Sequence, residues 1–204
     1  KSIKKRKMFF DLGHRIIVHN SNSINDLVSL YRIDKLKILE FPFPIMDLNK
    51  IPNYQIPTSL NDFFFPKKKY FLFVGHIRTE KGINILLEAW QKIVQKDDFI
   101  NNNLVIAGNI PKGINFNFNK QNVVAINRFL NDFEYRFLIE NSKCVILPYT
   151  RGTNSGIPSS VIALKTKLIT SDIDMFKTNP LIDQKFIFEN KNIDNLISIM
   201  KLCS

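Results

Sequence analysis

The segment GHIRTEKG, residues 75–82, places two cations between two glycines, directly after an apolar run typical of a buried strand. Arg78 and Lys81 at this spacing can hold a diphosphate through charge-assisted hydrogen bonds just before a helix begins. Gly75 and the glycine that ends the segment allow the backbone to come close to a ligand. The segment therefore predicts a diphosphate-binding turn.

An ordinary solvated turn would explain the same residues. In that alternative Arg78 and Lys81 pair with Glu80 or Glu88, and the residues alone leave both interpretations open. The segment is neither a Walker loop nor GxGxxG, which disfavours a P-loop NTPase or a simple dehydrogenase.

A second candidate turn is PYTRGTNSGIPSS, residues 148–160, after another apolar run. Thr153, Asn154 and Ser155 are residue types that cap helices, and Gly156 admits a close backbone approach. A proline two residues later suits the first turn of a helix. The segment predicts a helix N-terminus with unpaired N–H groups, surrounded by hydroxyls, which is chemically a phosphate site. Many helices that bind nothing are capped in the same way, so two such turns facing one space are more informative than either alone.

Alternating apolar and amphipathic segments must position these turns. The pattern predicts buried strands over 70–75, 103–108, 122–126, 143–149, 167–171 and 186–188. It predicts helices over 82–95, 132–141 (with Asp132 as the N-cap), 156–165 and 192–202. Strands alternating with helices indicate βαβ crossovers, hence an α/β domain with a doubly wound parallel sheet. Ligands of such sheets lie beyond the carboxyl ends of the strands, near the reversal of strand order.

The first part of the chain predicts a separate piece of structure. Strands are expected over 14–19 and 36–41, with a helix over 24–33 for which Ser21 and Ser23 are candidate N-caps. The stretch 42–68 that follows contains five prolines and is interpreted as an inter-domain linker.

Charge and composition narrow the classes of function. The net charge of +11, from 29 Lys and Arg against 18 Asp and Glu, favours an anionic partner, although solvated faces of a Lys-rich sequence would also explain it. A nucleic-acid binder is disfavoured, because surface aromatics interleaved with the basic residues and any module signature are missing. No apolar run reaches the length needed to cross a bilayer.

Cysteine and histidine usage bears on redox state and metals. Cys144 and Cys203 do not make a disulfide framework, so a reducing compartment is expected. His14, His19 and His76 lack Cys or carboxylate partners at ligand spacing, so no metal site is expected.

Four segments, taken in order, resemble a known family. They are FLFVGHIRTEKGINILLEAW, NLVIAGN, INRFLNDFEYRFLIENSKCVILPY and TNSGIPSSVIALKTKLITSDI. Their order and spacing are similar to the carboxyl-terminal domain of retaining GT-B glycosyltransferases, also called glycosyltransferase group 1 or family 4. Upstream, GHRIIVHNSNSINDLVSLYRIDKLKILEFPFP resembles the end of that family's amino-terminal domain. The resemblance implies a remnant of an amino-terminal Rossmann-like domain over 1–41, the linker 42–68, and a nucleotide-sugar-binding Rossmann-like domain over 69–204.

The resemblance also implies roles for residues. The two cations would hold the donor diphosphate, backbone N–H groups of the second turn would hold it from the other side, and the segment after the third strand would pack against the base. The nucleotide-contacting set that it implies is Gly75, Arg78, Lys81, Asn127, Arg128, Phe129, Thr153, Asn154, Ser155 and Gly156.

Three positions depart from the family pattern. Many members carry two Glu eight residues apart; in this chain the matching positions fall near Gly152 and Ser160, and neither is an acid. Many members also carry Arg at the position where this chain has His76. The family's catalytic His belongs to the amino-terminal domain, nearly all of which is missing from this sequence. His14 and His19 flank a predicted strand and are expected to be structural, so the catalytic residue stays unassigned.

The expected function is donor binding for glycosyl transfer. The donor would be a UDP-sugar or GDP-sugar, the acceptor a saccharide or lipid-linked molecule, and neither metal nor cofactor is expected. Polysaccharide or glycolipid assembly on the cytoplasmic side, with peripheral contact at the inner membrane face, is the expected setting, and these 204 residues alone are expected to be an incomplete enzyme. The alternatives are a non-catalytic nucleotide-binding or interaction module derived from such an enzyme, and an epimerase of the same architecture, which would need catalytic acids in its clefts.

Overall fold

The computed structural model describes residues 2–41, 60, 70–96 and 99–204. The chain divides into two compact units, Lys1–Pro44 and Ile45–Ser204. Apart from Leu60, the predicted linker 42–68 lies outside the described residues, and its boundaries stay a prediction.

The described part of the first unit contains two short parallel strands and two α-helices. Its elements are α1 (Ser2–Leu12), β1 (Ile16–Val18), α2 (Ser21–Tyr31) and β2 (Ile38–Glu40). Both predicted strands are present in shortened form, paired in parallel from Ile16 opposite Ile38. Helix α1 was not predicted, because its charged and apolar residues are not separated onto opposite faces.

The N-cap of α2 differs from the prediction. Ser21 is the first helical residue, and Asn20 is the cap: its side-chain oxygen accepts a hydrogen bond from the Ser23 N–H at 2.8 Å. The predicted caps Ser21 and Ser23 are therefore wrong. An Asn amide oxygen satisfies the same unpaired donor that a serine hydroxyl would.

The second unit is a doubly wound α/β domain, which confirms the predicted fold class. Its strands are β3 (Tyr70–Val74), β4 (Asn103–Ala107), β5 (Val123–Ile126), β6 (Cys144–Leu147), β7 (Lys167–Ser171) and β8 (Ile187–Phe188). Its helices are α3 (Ile83–Ile93), α4 (Asp132–Asn141), α5 (Ile157–Ala163), α6 (Asp174–Lys177) and α7 (Ile193–Lys201). The pattern missed the four-residue α6, which is too short to show a helical period.

The strands form one sheet in the order β5-β4-β3-β6-β7-β8, and every pairing is parallel. The order runs outward in one direction from β3 and in the other from β6. These two neighbours form the switch point, where the connections diverge and leave a crevice beyond the strand ends. The two candidate turns follow β3 and β6, so topology alone brings them together.

The two strands at the switch point, β3 and β6, lie in the core of the domain. Every residue of β3 and β6 is buried, as expected for central strands covered on both faces. Two large side chains in the core keep their polar atoms paired: the Tyr70 hydroxyl donates to the Leu138 carbonyl at 2.7 Å, and Trp90 Nε1–H donates to the Gln121 carbonyl at 3.0 Å. The site is thus built on two fully buried central strands.

Helix α4 begins with a capping box. Asn131 accepts from the Glu134 N–H, and the Glu134 carboxylate accepts from the Asn131 N–H, both at 2.9 Å. The N-cap is therefore Asn131, and the prediction of Asp132 is wrong by one residue.

None of the helices in the described part of the chain is both long enough and apolar enough to span a membrane.

Candidate functional site

The two candidate turns are in direct contact. The Thr150 N–H donates to the Glu80 carbonyl at 2.9 Å, and the Thr150 hydroxyl donates to the same oxygen at 3.2 Å. Closer to the sheet, a Cβ added at Gly75 would come within 2.7 Å of the Ile157 side chain at the start of α5. The turn after β3 and the loop after β6 therefore share one surface at the switch point.

Glycines make this close packing feasible, but not all in the expected way. Gly82 has φ +71°, and a Cβ there would lie 1.7 Å from the Pro148 carbonyl oxygen. The space beside Gly82 is therefore filled by protein backbone rather than by a ligand. Gly75 has φ +124°, and its carbonyl oxygen would meet a Cβ at Gly108 at 1.7 Å. These glycines let three strand-end segments approach one another, which fixes the shape of the edge.

Arg78 is the more exposed of the two cations. Half of its side chain is accessible to solvent, and Nη1 lies 3.9 Å from the Glu80 carboxylate. An ion pair at this distance and exposure is worth little. The guanidinium can leave Glu80 for a phosphate at small cost.

Lys81 is partly buried and packed on an aromatic ring. Its Nζ lies 3.6 Å from the centroid of the Tyr149 ring, a cation–π contact. Burial lowers the pKa of Lys81, while the nearby Glu80 carboxylate raises it and Arg78 lowers it. The alternative of a solvated turn whose two cations pair with glutamates therefore describes Arg78, which lies beside Glu80, but not Lys81, which packs on a ring.

A third segment completes the edge. A cavity of about 140 Å³ opens beside the Phe129 side chain, which is 70% exposed and meets the His76 ring edge-on at 5.8 Å between centroids. The residues that line it are Val74, Gly75, His76, Gly108, Asn109, Phe129, Leu130 and Tyr135. Its apolar walls and exposed aromatic ring suit a flat aromatic group.

The two residues before Phe129 are engaged within the protein. The Asn127 side-chain oxygen accepts from the Ile110 N–H at 3.0 Å. Arg128 donates to both carboxylate oxygens of Glu134, at 2.8 and 2.7 Å, and Glu134 is 1% exposed. Their expected contact with a base stays a prediction, and Arg128 has a clear structural role.

Arg128→Ala is expected to lower stability more than nucleotide affinity. The substitution leaves the buried Glu134 carboxylate with the Asn131 N–H but without its cation, at a cost of about 1–3 kcal/mol given that Arg128 is 38% exposed. Denaturant unfolding monitored by circular dichroism, set beside calorimetry with UDP, measures both effects. A large loss of affinity with unchanged unfolding would instead make Arg128 a ligand contact.

The loop before α5 holds the remaining predicted residues. Thr153 and Asn154 are exposed, and Ser155 is half-buried with its hydroxyl oxygen 3.4 Å from the Ile157 N–H that it accepts from. Gly156 is the N-cap of α5 at φ −81°, an angle that any residue adopts. The backbone conformation therefore does not require glycine at this position, and the close approach of a ligand to Gly156 stays a prediction.

Two tyrosines were missed as parts of the site. The hydroxyl of Tyr149 lies beside Ser155, and that of Tyr135 lies beside the buried Ser160. Burial raises the pKa of Tyr149 to about 12 and also raises that of Tyr135, so both hydroxyls stay neutral. A Pro-Tyr pair at a strand end was the available signal for Tyr149.

Across the described ranges, no group of three or more His, Cys, Asp or Glu side chains is arranged to hold a metal ion. His19 is hydrogen-bonded through Nδ1 to the Phe41 carbonyl at 2.9 Å. The catalytic residue of the predicted reaction is thus still unassigned.

A doubly wound parallel sheet with this strand order defines the Rossmann-like class of α/β folds. Residues 58–203 match the family described as "Glycosyl transferases group 1", and this match spans well over half of the chain. The chain belongs to this family, which confirms the resemblance found in the sequence.

Solved structures share the GT-B fold with this chain. A glycosyltransferase from Rickettsia africae ESF-5 superposes with a TM-score of 0.73 at 17% identity, over 97% of this chain and 56% of that one. A UDP-forming alpha,alpha-trehalose-phosphate synthase from Burkholderia vietnamiensis gives 0.75 at 9% identity, over 97% and 52%. A TarM variant from S. aureus, in complex with Fondaparinux, alpha-GlcNAc-glycerol and UDP, gives 0.71 at 17% identity, over 99% and 39%.

The chain thus spans between 39% and 56% of the length of these three proteins. A comparison with curated proteins finds no match.

Proposed function

We propose that this chain is the donor-binding half of a glycosyltransferase and that it binds a nucleoside-diphosphate sugar at the switch point of its sheet. The observation that carries the proposal is the contact between the turn with Arg78 and Lys81 and the loop with Ser155, joined through Thr150 and Glu80. Membership of the group 1 family makes a sugar nucleotide the natural ligand for this surface.

The proposed chemistry is stabilisation of a diphosphate leaving group. As the glycosidic bond breaks, negative charge develops on the diphosphate, and preorganised cations and hydroxyls that face it lower the barrier. Helix α5 has only seven residues, so its dipole contributes little and the side chains of Arg78, Lys81 and Ser155 carry more of the stabilisation. No metal is required in this scheme.

The base of the nucleotide is proposed to occupy the cavity beside Phe129. Stacking on an exposed aromatic ring accepts a pyrimidine or a purine, so both UDP-sugars and GDP-sugars remain candidate donors. The UDP in the TarM complex supports the uridine nucleotide. The acceptor is proposed to be a saccharide or a lipid-linked molecule, used in polysaccharide or glycolipid assembly at the cytoplasmic membrane face.

A second candidate is a non-catalytic nucleotide-binding module. It is favoured by the residues at Gly152 and Ser160, where many relatives carry acids and this chain carries none. Both candidates bind a nucleotide, and only the first transfers sugar when the remaining half of such an enzyme and an acceptor are present.

Calorimetry with UDP and GDP tests nucleotide binding, which both candidate functions require. We expect weak binding of at least one of them, competition by the corresponding sugar nucleotide, and affinity that falls as salt rises, because the contact is between charges. No heat with either nucleotide would overturn the assignment of the donor site.

Nucleotide affinity should also fall in alkali, earlier than an ordinary lysine would allow. Because burial lowers the pKa of Lys81, its ammonium loses its proton, and hence its attraction for phosphate, at a lower pH than a solvated lysine. Lys81→Arg keeps the charge throughout and should remove this part of the pH dependence. Calorimetry from pH 7 upward measures the nucleotide affinity of the unmodified chain and of Lys81→Arg. Titration of the nucleotide base affects both proteins equally and therefore drops out of the comparison. Identical pH profiles would show that Lys81 does not contact the phosphates.

A further inference from the structure

Tyr149 lies where the two turns of the proposed site meet, and no role has been assigned to it. It follows strand β6 after Pro148, and its side chain is 1% exposed. This burial fixes the ring beside the turn that carries the cations.

The ring face of Tyr149 holds the lysine. Lys81 Nζ stands 3.6 Å from the ring centroid, and the ring itself is packed by Phe176 at 5.3 Å with a 48° tilt. The position of the aromatic plane is therefore set by the core. A long lysine side chain resting on a fixed ring loses much of its rotamer freedom before any ligand arrives.

The polar atoms of Tyr149 face the other turn and the sheet. Its hydroxyl lies beside Ser155, and its backbone carbonyl accepts from the Ser171 hydroxyl at 2.5 Å. The next residue, Thr150, is tied to the Glu80 carbonyl. The ring and the backbone of this one residue thus contact the cationic turn and the sheet, while its hydroxyl lies beside the hydroxyl-bearing loop.

We propose that Tyr149 is the positioning residue of the diphosphate site, because its ring places Lys81 while its hydroxyl places Ser155 toward the same ligand. The inference rests on the proposed function and goes beyond it by naming what preorganises the site. Tyr149 acts through the two side chains that it holds, and not by touching the phosphates. Preorganisation of this kind adds affinity by removing the cost of ordering flexible groups when the ligand binds.

Two double-mutant cycles on the full chain test the proposal, with UDP and inorganic pyrophosphate as the probes. Tyr149→Leu removes ring and hydroxyl and should weaken binding about 5- to 30-fold, but only about 2- to 5-fold, the part due to the hydroxyl, when Lys81 is already alanine. Tyr149→Phe keeps the ring and should cost only about 2- to 5-fold, and close to nothing when Ser155 is already alanine.

A spectroscopic signature reports the lysine contact without any ligand. The ring current of Tyr149 should shift the Lys81 ε-CH₂ protons upfield in the unmodified chain and in Tyr149→Phe, and the shift should vanish in Tyr149→Leu. The proton shifts in the unmodified chain and in Tyr149→Phe, together with the Tyr149→Phe cycle, test the positioning role even if Tyr149→Leu does not fold.

The possible results distinguish a failure of the proposed function from a failure of the positioning role of Tyr149. If wild type binds neither probe, the proposed function fails and the positioning role fails with it. If wild type binds but Tyr149→Leu weakens binding equally with and without Lys81, or neither Tyr149 variant changes affinity, the positioning role is overturned and the donor site stands. Unshifted Lys81 protons in the unmodified chain would also overturn it.

Discussion

Gly82→Ala is expected to destabilise the α/β domain by about 3–5 kcal/mol and to abolish nucleotide binding with it. The backbone at Gly82 has φ +71°, and the added Cβ would lie 1.7 Å from the Pro148 carbonyl oxygen. That oxygen belongs to the backbone after the central strand β6, so relief requires moving α3 away from the sheet. Urea unfolding monitored by circular dichroism gives the change in free energy.

Gly113→Ala is the matched control. Gly113 has φ +83°, close to that of Gly82, but its added Cβ would have no atom within 4 Å. It should therefore show only the cost of a left-handed alanine, about 1–2 kcal/mol. Equal destabilisation by the two variants would mean that the packing of Gly82 on Pro148 contributes nothing.

Arg78→Ala and Lys81→Ala are each expected to weaken UDP binding by about 1.5–3 kcal/mol, roughly 10- to 150-fold, the range for hydrogen bonds to charged groups. Ser155→Ala should cost less, about 0.5–1.5 kcal/mol, since a neutral hydroxyl makes a weaker contact. The free energy of unfolding should change little in Arg78→Ala, because the contact of Arg78 with Glu80 is long, 3.9 Å, and largely exposed. Calorimetry in low-salt buffer provides the affinities.

The control for charge is Lys167→Ala. Lys167 is exposed and begins strand β7, so it lies at the amino ends of the strands, opposite the proposed site. Its removal lowers the net charge by the same amount and should leave affinity nearly unchanged. Lys67, in the predicted linker, would be an alternative control but lies outside the described residues. If Lys167→Ala weakened binding as much as Arg78→Ala, the chain would be a diffuse basic surface.

The sequence was sufficient for the fold because the central strands are short, wholly apolar and separated by amphipathic helices. It also picked out the two turns that meet, since parallel strands bring their carboxyl ends to one edge and turns with cations or hydroxyls at that edge are recognisable. The helix caps were predicted less well. Asn20 and Asn131 cap helices where Ser21, Ser23 and Asp132 were expected, because several neighbouring residue types can make the same hydrogen bond.

Contacts between distant segments could not be read from the chain. Nothing local to Arg128 shows that its guanidinium binds the buried Glu134, and nothing local to Gly82 shows that Pro148 lies against it. The contact of Lys81 with Tyr149 joins residues from two crossover units, which only the strand order brings together. Local patterns therefore located the site, whereas the environment of each side chain depended on the three-dimensional fold.

The most direct test of the central claim is a titration of the chain with UDP followed by amide chemical shifts in NMR spectra. The account predicts that amides of residues 75–82 and 150–157 shift together along one binding curve, while those around Lys167 do not move. Shifts confined to one turn, or spread over exposed lysines that include Lys167, would contradict a single diphosphate site formed by the two turns.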